Sequence, residues 1–430
     1  MRTRKIRFAI AGFSALIAAL LSPINSAHAA FQSSGLIANW TGASLSGSPT
    51  TWVDSVNSNT LNLANTTYNS ANGGTLAFNG SSSGAVASAS ITSFTSSTTS
   101  MFFWINVSDL SATRIIQETA RSPSTTVNEE QFQVSQTTGK LYYWDYNGTS
   151  YGFQSTSTGA ITTNQWYYVG FVKKQNSPTN ATITFYINGQ NAGSDTTSNS
   201  VALGLSSYVL GYDYRDLNSY FKGKFGQATI WSTELSATDV ANNYSATTGN
   251  YFSPSITSSS ASQSVFATQA ITSVIETNTG GLASYSIAPA LPAGLAIDPN
   301  TGTISGSPNG PSPTTSYTIT ATNAAGTSTA SFSLTVTQAG VVLTAPSTVT
   351  FRQSATIQAT PNGSGTVVFY ANGKRIPTCQ RVASSGSMVT CTWKASLHGL
   401  NKVYASFNIS GITGQSNVLN VIANSRSNTR

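Results

Sequence analysis

Residues 220–231 read YFKGKFGQATIW, and the nine residues that follow read STELSATDV. Aromatic and β-branched residues surround small ones in the first segment, a composition that predicts a β-strand. In the second segment Ser236 precedes Asp239 by three positions, which is the spacing of a helix capping box. The two segments therefore predict a strand that is followed at once by a helix of barely two turns.

The remainder of the chain repeats the strand pattern. Runs of β-branched and aromatic residues recur, and turn signals separate them. In ATITFYINGQNAGS (181–194), the pair Asn188 and Gly189 predicts a hairpin with a type I′ turn. We therefore predict an all-β fold.

Residues 1–29 have the features of a secretory signal peptide. A basic head, MRTRKIR, precedes an apolar run over 8–21 and the small-residue cleavage signal AHA at 27–29. No later run is apolar and long enough to cross a bilayer. We expect an exported protein without a membrane span, either extracellular or at the cell surface.

The mature chain is close to neutral. Only 8% of all residues are charged, against roughly 25% in ordinary domains. The predicted signal peptide contains four of the 20 basic residues and none of the 13 acidic ones, which leaves a net charge of +3. This small charge gives little support for nucleic acid or an anionic membrane as a partner.

Two changes in composition divide the mature chain. FSPSITSSSAS at 252–262 is rich in Pro and Ser and has no period, and TVTQAG at 335–340 ends one strand before another starts. We predict domains over 30–252, 256–337 and 341–424. The last two have the size of small β-sandwiches.

The closing segment of the first predicted domain resembles that of the concanavalin A-like, laminin G-type jelly roll. The matching residues are Phe221, Gly223, Phe225, Ala228, Ile230, Trp231, Leu235, Ser236 and Asp239. Further landmarks occur in the family's order: LIANW (36–40), WVDSVNSNTLNL (52–63), LAFNG (76–80), SMFFWI (100–105), KLYYW (140–144), NQWYYVGFV (164–172) and ITFYINGQ (183–190). The resemblance covers nearly all of 31–252 and implies a lectin-like jelly-roll sandwich.

Some family residues are replaced. Gly226 and Gln227 occupy the positions of an acidic pair, and Asn79 replaces a frequent Asp. These changes spare the core but remove polar groups, which weakens any transfer of the family's metal chemistry to this chain.

The two later domains resemble bacterial Ig-like modules. LPAGLAIDPNTGTISGSP (291–308) and YTITATNAAGTSTASFSLTV (317–336) are similar to a cadherin-like Ig module, in which 298–302 would form a tight turn between two strands. GTVVFYANGKRI (365–376) and LHGLNKVYASF (397–407) are similar to bacterial Ig-like repeats. The resemblance implies spacers or adhesive stalks.

Catalytic groups are scarce, so no catalytic residue is predicted. Jelly-roll glycoside hydrolases need two carboxyl groups at a fixed separation, commonly supplied as E-x-D-x-E. None of the five glutamates, Glu118, Glu129, Glu130, Glu234 and Glu276, precedes an Asp by two positions. After the signal peptide the sole histidine is His398, in a predicted turn, so no nucleophile–base pair can be assembled.

Cys379 and Cys391 are the only cysteines of a chain that we expect to be exported, which predicts a disulfide. A hairpin about Ser384, Ser385 and Gly386 would place the two cysteines opposite each other. We expect the bond to be structural.

Calcium is the metal to consider, because it binds oxygen ligands and laminin G-type domains often carry it. The loop carboxylates available are Asp54, Asp145, Asp213 and Asp216, with Arg215 between the last two. Hydrogen bonds that cap turns are the favoured alternative. No other cofactor is predicted.

The aromatic residues are the most informative feature of the sequence. In KLYYWDY (140–146), Leu141 and Tyr143 share one face of a strand, whereas Tyr142, Trp144 and Tyr146 share the other. If the first row is the core row, the second exposes three rings that can stack on sugars. Tyr212, Tyr214 and Tyr220 could extend that surface, and Arg215 could bond to sugar hydroxyls. In the alternative a loop covers the rings, which then form a second core.

These observations predict a lectin-like head on Ig-like spacers that recognises a polysaccharide or glycoprotein without catalysis. A structural or adhesive surface protein, which binds proteins or assembles with itself, is the alternative. A glycoside hydrolase is a more distant one. The sequence leaves the ligand, the anchor and the oligomeric state open.

Overall fold

The computed structural model describes residues 30–87, 91, 98–120, 128–147, 151–178, 180–197, 207–213 and 219–425. The predicted signal peptide lies outside these residues. Within them the secondary structure is almost entirely β-strand, which confirms the all-β prediction. The chain divides into two compact units, Met1–Phe252 and Ser253–Arg430. Among the described helices none is long and apolar enough to span a membrane.

The first unit is built from two antiparallel sheets. Its strands β1 to β16 are, in chain order, Leu36–Thr41, Thr51–Val53, Thr60–Ala64, Thr67–Asn69, Thr75–Asn79, Gly84–Ala87, Thr99–Val107, Arg114–Ala120, Asn128–Val134, Lys140–Asn147, Tyr151–Ala160, Trp166–Ser177, Asn180–Ile187, Gln190–Thr197, Ser207–Leu210 and Lys222–Trp231. Sheet A has the strand order β14-β13-β12-β7-β16-β5-β4, with β1 also paired to β16, and sheet B has the order β11-β10-β9-β8-β15-β6-β3-β2. The hairpin between β13 and β14 has Asn188 and Gly189 at φ 50° and 78°, as a type I′ turn requires.

Residues Lys222–Trp231 form β16, in the middle of sheet A. Phe225 and Ile230 lie in the core between the two sheets, whereas Trp231 belongs to an apolar cluster on the other face of sheet A. The register shifts between Phe225 and Gln227. At Gly226 the ring of Tyr251 lies so close that an added Cβ would clash with it. Packing therefore requires glycine at position 226.

Helix α1 spans Ala237–Thr247 and covers the outer face of sheet A. Ser236 and Asp239 form the predicted capping box. With eleven residues the helix is about three turns long, longer than the two turns predicted. Tertiary contacts extend it, because Thr247 Oγ1 accepts a 2.8 Å hydrogen bond from Nε1 of the buried Trp104.

The second unit has two separate hydrophobic clusters, one formed by residues between 256 and 336 and one by residues between 339 and 423. Each lies among sheets of two to seven strands, as in small β-sandwiches. Strands β17 to β34 are Ile256–Ser258, Ser262–Phe266, Glu276–Asn278, Ser284–Ala288, Leu295–Ile297, Ile304–Gly306, Ser312–Asn323, Gly326–Thr337, Val341–Thr344, Thr348–Thr350, Ser354–Pro361, Ser364–Ala371, Lys374–Arg375, Val382–Ser385, Val389–Lys394, Gly399–Ile409, Ile412–Gln415 and Leu419–Asn424.

Two local predictions in the second unit have different outcomes. The tight turn at 298–302 joins β21 to β22, since Asp298 Oδ1 accepts from the backbone N–H of Asn300 and Gly302 has φ 72°. The Pro/Ser-rich stretch 252–262, predicted to have no period, contains β17, which pairs with β19 and buries Ile256.

The cysteine prediction is correct in its pairing and wrong in its hairpin. Cys379 and Cys391 form a disulfide with their Cα atoms 5.7 Å apart. However, β30 pairs with β28, whereas β31 pairs with β27 in a different sheet. Cys379 lies in a 3₁₀ turn, Pro377–Cys379, rather than on a strand. The bond therefore ties that turn to β31 and does not cross-link two arms of a hairpin.

Candidate functional site

Strand β10 has the two faces that its sequence predicts. Leu141 and Tyr143 are fully buried in the core between the sheets. Tyr142, Trp144 and Tyr146 lie on the opposite side, which we call the outer face of sheet B. The expectation of three exposed rings is wrong for Trp144, which is only 7% exposed. Tyr142 and Tyr146 are half-buried.

The indole N–H of Trp144 is part of a buried hydrogen-bonded network. Its Nε1 donates to Oε1 of Gln131 over 2.8 Å. The Nε2 of Gln131 donates in turn to Oδ2 of Asp213 over 3.0 Å and to Oε2 of Glu118 over 3.5 Å. The two carboxylates therefore lie near the same amide nitrogen. We call these four residues the outer-face network.

Strand register explains why three of these residues meet. Trp144 lies opposite Gln131 in the pairing of β10 with β9, and Gln131 lies opposite Glu118 in the pairing of β9 with β8. Directly opposed residues of antiparallel strands share a face. Asp213 follows β15 and reaches the same face from the end of that strand. All four side chains are at least nine-tenths buried.

Aromatic rings continue along this face. The ring of Tyr212 packs over Gly84 of β6, where a side chain would clash with it. It stacks on Tyr220 with ring centroids 5.6 Å apart. The structure thus brings Tyr212 to the face that carries Trp144. Of the other predicted site residues, Tyr214, Arg215 and Asp216 lie outside the described residues.

Gln131 and Glu118 were not among the predicted ligand-binding residues. The only sign of Gln131 in the sequence is the alternation in EEQFQV, which places Gln131 and Gln133 on one face and Phe132 on the other. The importance of Glu118 depends on the register between β8 and β9, which includes a shift between Ile115 and Gln117. No local pattern of residues reveals that shift.

A second polar cluster lies between the two sheets, on the inner face of sheet B. Lys173 of β12 places its Nζ 3.2 Å from Oε2 of Glu130 and 3.9 Å from Oδ2 of Asp145. Tyr143 donates its hydroxyl proton to Glu130 over 2.7 Å. Burial raises the pKa of Tyr143 well above its usual value, and the charges of Glu130 and Asp145 raise it further. These residues lie inside the core and cannot meet a ligand there.

The carboxylates named for calcium have other partners in the fold. Asp54 Oδ1 accepts from the backbone N–H groups of Val56 and Asn57, and Oδ2 accepts from that of Asn59. This is the turn-capping alternative. Asp145 lies in the inner cluster and Asp213 in the outer-face network. In the part of the chain that the structure describes, no three His, Cys, Asp or Glu side chains come together as a metal site. Calcium stays the less favoured alternative for these carboxylates.

His398 lies far from either cluster in sequence and is exposed. Its Nε2 is 2.8 Å from the hydroxyl of Ser425, and its ring meets that of Phe351 edge-on. This placement agrees with the prediction of a solvated histidine in a turn.

The fold corresponds to a known class of domain. Residues 79–241 match the model of the concanavalin A-like lectin/glucanases superfamily, and residues 236–337 match the family described as "Putative Ig domain". The chain thus contains a concanavalin A-like domain followed by an Ig domain, the architecture that its motifs indicated. The superfamily includes both lectins and glucanases, so it does not separate binding from catalysis.

Several solved structures are similar to parts of the chain. Domain 4 of AbnA, an extracellular GH43 arabinanase from Geobacillus stearothermophilus in complex with arabinotriose, is 17% identical over 49% of this chain and 98% of its own, with a TM-score of 0.39. Trypanosoma rangeli sialidase in complex with sialic acid is 15% identical over 50% of this chain and 33% of its own, with a TM-score of 0.38.

The CBM40 domain of Ruminococcus gnavus IT-sialidase, bound to α2,3-sialyllactose, is 9% identical over 34% of this chain and 80% of its own, with a TM-score of 0.29. No curated protein matches the chain. None of these likenesses transfers a function to this chain.

Proposed function

We propose that the first unit is the lectin-like head of an exported protein and binds a polysaccharide or glycoprotein through the outer face of sheet B. The observation that carries the proposal is the outer-face network: an indole, an amide and two carboxylates are joined on one face and flanked by half-buried tyrosines. Sugars present apolar C–H faces and hydroxyl groups. Rings can stack on the first, and polar side chains that reach the surface beside the rings can bond to the second.

The burial of each ring separates residues that position the site from residues that contact the sugar. Trp144 is buried and bonded, so it fixes Gln131 in place and does not offer a platform of its own. Tyr142 and Tyr146 are half-buried and lie on either side of it in the strand. We therefore assign the stacking contacts to these two tyrosines and to Tyr212.

Binding without catalysis is the better-supported form of the proposal. A glycoside hydrolase directs two carboxyl groups at the glycosidic bond from positions on either side of it. Here the carboxylates of Glu118 and Asp213 both receive a hydrogen bond from one amide group, that of Gln131, so both are engaged within the protein. The predicted Ig-like domains would act as spacers that present the head. The adhesive alternative assigns the binding to those later domains.

A glycan array probed with the full mature chain tests the proposal. We expect binding at roughly millimolar to micromolar Kd, as suits a shallow site. Tyr142→Ala and Tyr146→Ala should each abolish detectable binding on the array. Tyr370→Ala, which removes a half-buried tyrosine from the second unit, is the matched control and should bind as the parent does.

The same array separates the alternatives. Loss of binding in Tyr370→Ala but not in Tyr142→Ala would assign recognition to the second unit.

Glycoside hydrolysis is the second candidate function, because two carboxylates converge on the outer face of sheet B. New reducing ends from a bound polysaccharide, lost in Glu118→Gln, would establish an enzyme and overturn the non-catalytic proposal.

A further inference from the structure

The charge of the chain is unevenly divided along its length. Residues 338–430 contain eight Lys and Arg residues and no Asp or Glu. Residues 30–337 contain eight basic and 13 acidic residues. The final segment thus has a net charge of +8 and the preceding part −5, although their sum is close to neutral. A charge of one sign concentrated in one segment attracts polymers of the opposite sign.

Part of this positive charge lines a cleft in the second unit. The cleft has a volume of about 710 Å³, and Lys374, Arg375 and Lys394 line it with exposed side chains. The buried side chains of Ile376 and Trp393 also line it. A concave site of this volume is within the range of ligand-binding clefts.

Within the part of the chain that the structure describes, the three cations of the cleft have no carboxylate partner. Among the described residues no ion pair includes Lys374, Arg375 or Lys394. Segment 338–430 contains no acidic side chain that could supply one. Like charges held together repel, so an anion that enters the cleft removes an unfavourable interaction.

The backbone around the cleft is fixed in place. Lys374 and Arg375 form β29, and Lys394 is the last residue of β31. The disulfide ties Cys391 of β31 to Cys379, next to two other lining residues, Pro377 and Thr378. Because the backbone is already ordered, less conformational entropy is lost when a ligand enters the cleft.

The lining favours one class of anion. Single-stranded nucleic acids are bound by rings on which bases stack. The aromatic residue of this cleft, Trp393, is only 4% exposed and offers no such platform. Thr378, Thr392 and Ser396 line the cleft beside the cations, and side chains of this type suit the hydroxyls of a sugar. We propose that this cleft binds an anionic polysaccharide, at a site separate from the outer face of sheet B.

The test uses the full mature chain and polygalacturonate, a linear polymer of a uronic acid, as the probe in isothermal titration calorimetry. We expect binding that weakens as salt is raised from low to about 0.5 M, because screening shortens the reach of exposed charges. The triple variant Lys374→Gln, Arg375→Gln and Lys394→Gln should bind about tenfold more weakly or worse.

The matched control removes the same charge elsewhere in the same segment. Arg352→Gln, Arg381→Gln and Lys402→Gln alter three exposed cations that do not line the cleft, and affinity should stay within roughly twofold of the parent. Equal weakening by the two triple variants would show that net charge alone attracts the polymer and would overturn the site.

Two further outcomes would also overturn the proposal. They are tighter binding to double-stranded DNA than to polygalacturonate, and no binding to polygalacturonate at low salt. Thermal melting of both triple variants confirms that they fold, which we expect because the altered side chains are exposed. Array binding of neutral glycans by the first unit should be unaffected, so this test can fail without the proposed function failing.

Discussion

Lys173 in sheet A lies with its Nζ 3.2 Å from Oε2 of Glu130 in sheet B, and neither side chain reaches solvent. The lysine also donates to the Tyr143 hydroxyl over 3.1 Å, and that hydroxyl donates to the same glutamate. This buried ion pair joins the two sheets through the interior of the first unit. Its neighbour along β12, Lys174, pairs with Glu234 at the surface instead.

Removing one member of the buried pair should be costly. Lys173→Met leaves Glu130 inside the core without its cation, and we expect a loss of about 3–5 kcal/mol in the free energy of unfolding. Lys174→Met breaks an exposed pair and should cost at most about 1 kcal/mol. Urea denaturation of both variants measures the difference. Similar losses in the two would mean that the buried pair does not stabilise the core.

The outer-face network should behave as a coupled unit. Trp144→Phe removes the indole N–H and leaves Gln131 Oε1 without that donor, at about 1–3 kcal/mol. Gln131→Leu removes the other partner. In a double-mutant cycle followed by urea denaturation, we expect a coupling of about 0.5–3 kcal/mol between the two changes. Strict additivity would show that the hydrogen bond contributes nothing to stability.

Local features of the fold can be predicted from the sequence. The capping box of Ser236 and Asp239 and the turn at Asn188 and Gly189 are set by a few neighbouring residues, so the sequence is sufficient to predict both. The two faces of β10 follow from alternation alone.

The burial of Trp144 could not be predicted from neighbouring residues. Its burial depends on Gln131 and Asp213, and their proximity depends on strand register and on the course of the chain after β15. The cysteine pair includes one feature that the sequence predicts and one that depends on strand pairing. The disulfide follows from there being only two cysteines, but the strands that flank it pair with partners distant in sequence.

The disulfide should stabilise the last sandwich alone. Replacing both Cys379 and Cys391 by Ser should lower the stability of the second unit by about 3 kcal/mol through chain entropy. The first unit should melt unchanged, because both of its apolar clusters consist of residues before 253. Differential scanning calorimetry reports the separate transitions. Free thiols in the native protein would contradict the assignment.

Glu276 should make the second unit sensitive to pH. Burial raises its pKa above the usual 4.5. Because the folded pKa exceeds the unfolded one, the folded state binds the proton more tightly, and this contribution to stability is lost as pH rises through the folded pKa. We expect Glu276→Gln to flatten the stability profile above about pH 4.5 and to raise stability at pH 7. Denaturation measured across pH 3–8 tests this expectation. A stability profile of the variant that runs parallel to that of the parent would contradict it.

The first unit should fold in isolation. Its sheets and both of its apolar clusters draw on residues up to 252 and none beyond. We expect the fragment 30–252 to give one cooperative melting transition at the temperature of the corresponding transition in the full chain. A fragment that stays unfolded would show that the second unit supplies part of its stability and would move the domain boundary.

The pairing of β1 with β16 governs when the first unit can form. Leu36 lies opposite Trp231, and β16 also separates β7 from β5 within sheet A. Until the ribosome has made residue 231, β7 and β5 lack the strand that lies between them. Until then β1 also lacks β16, the strand with which it pairs. A topology with such distant pairings closes late and slowly. Sheet A of the first unit therefore cannot be completed until most of that unit has been synthesised.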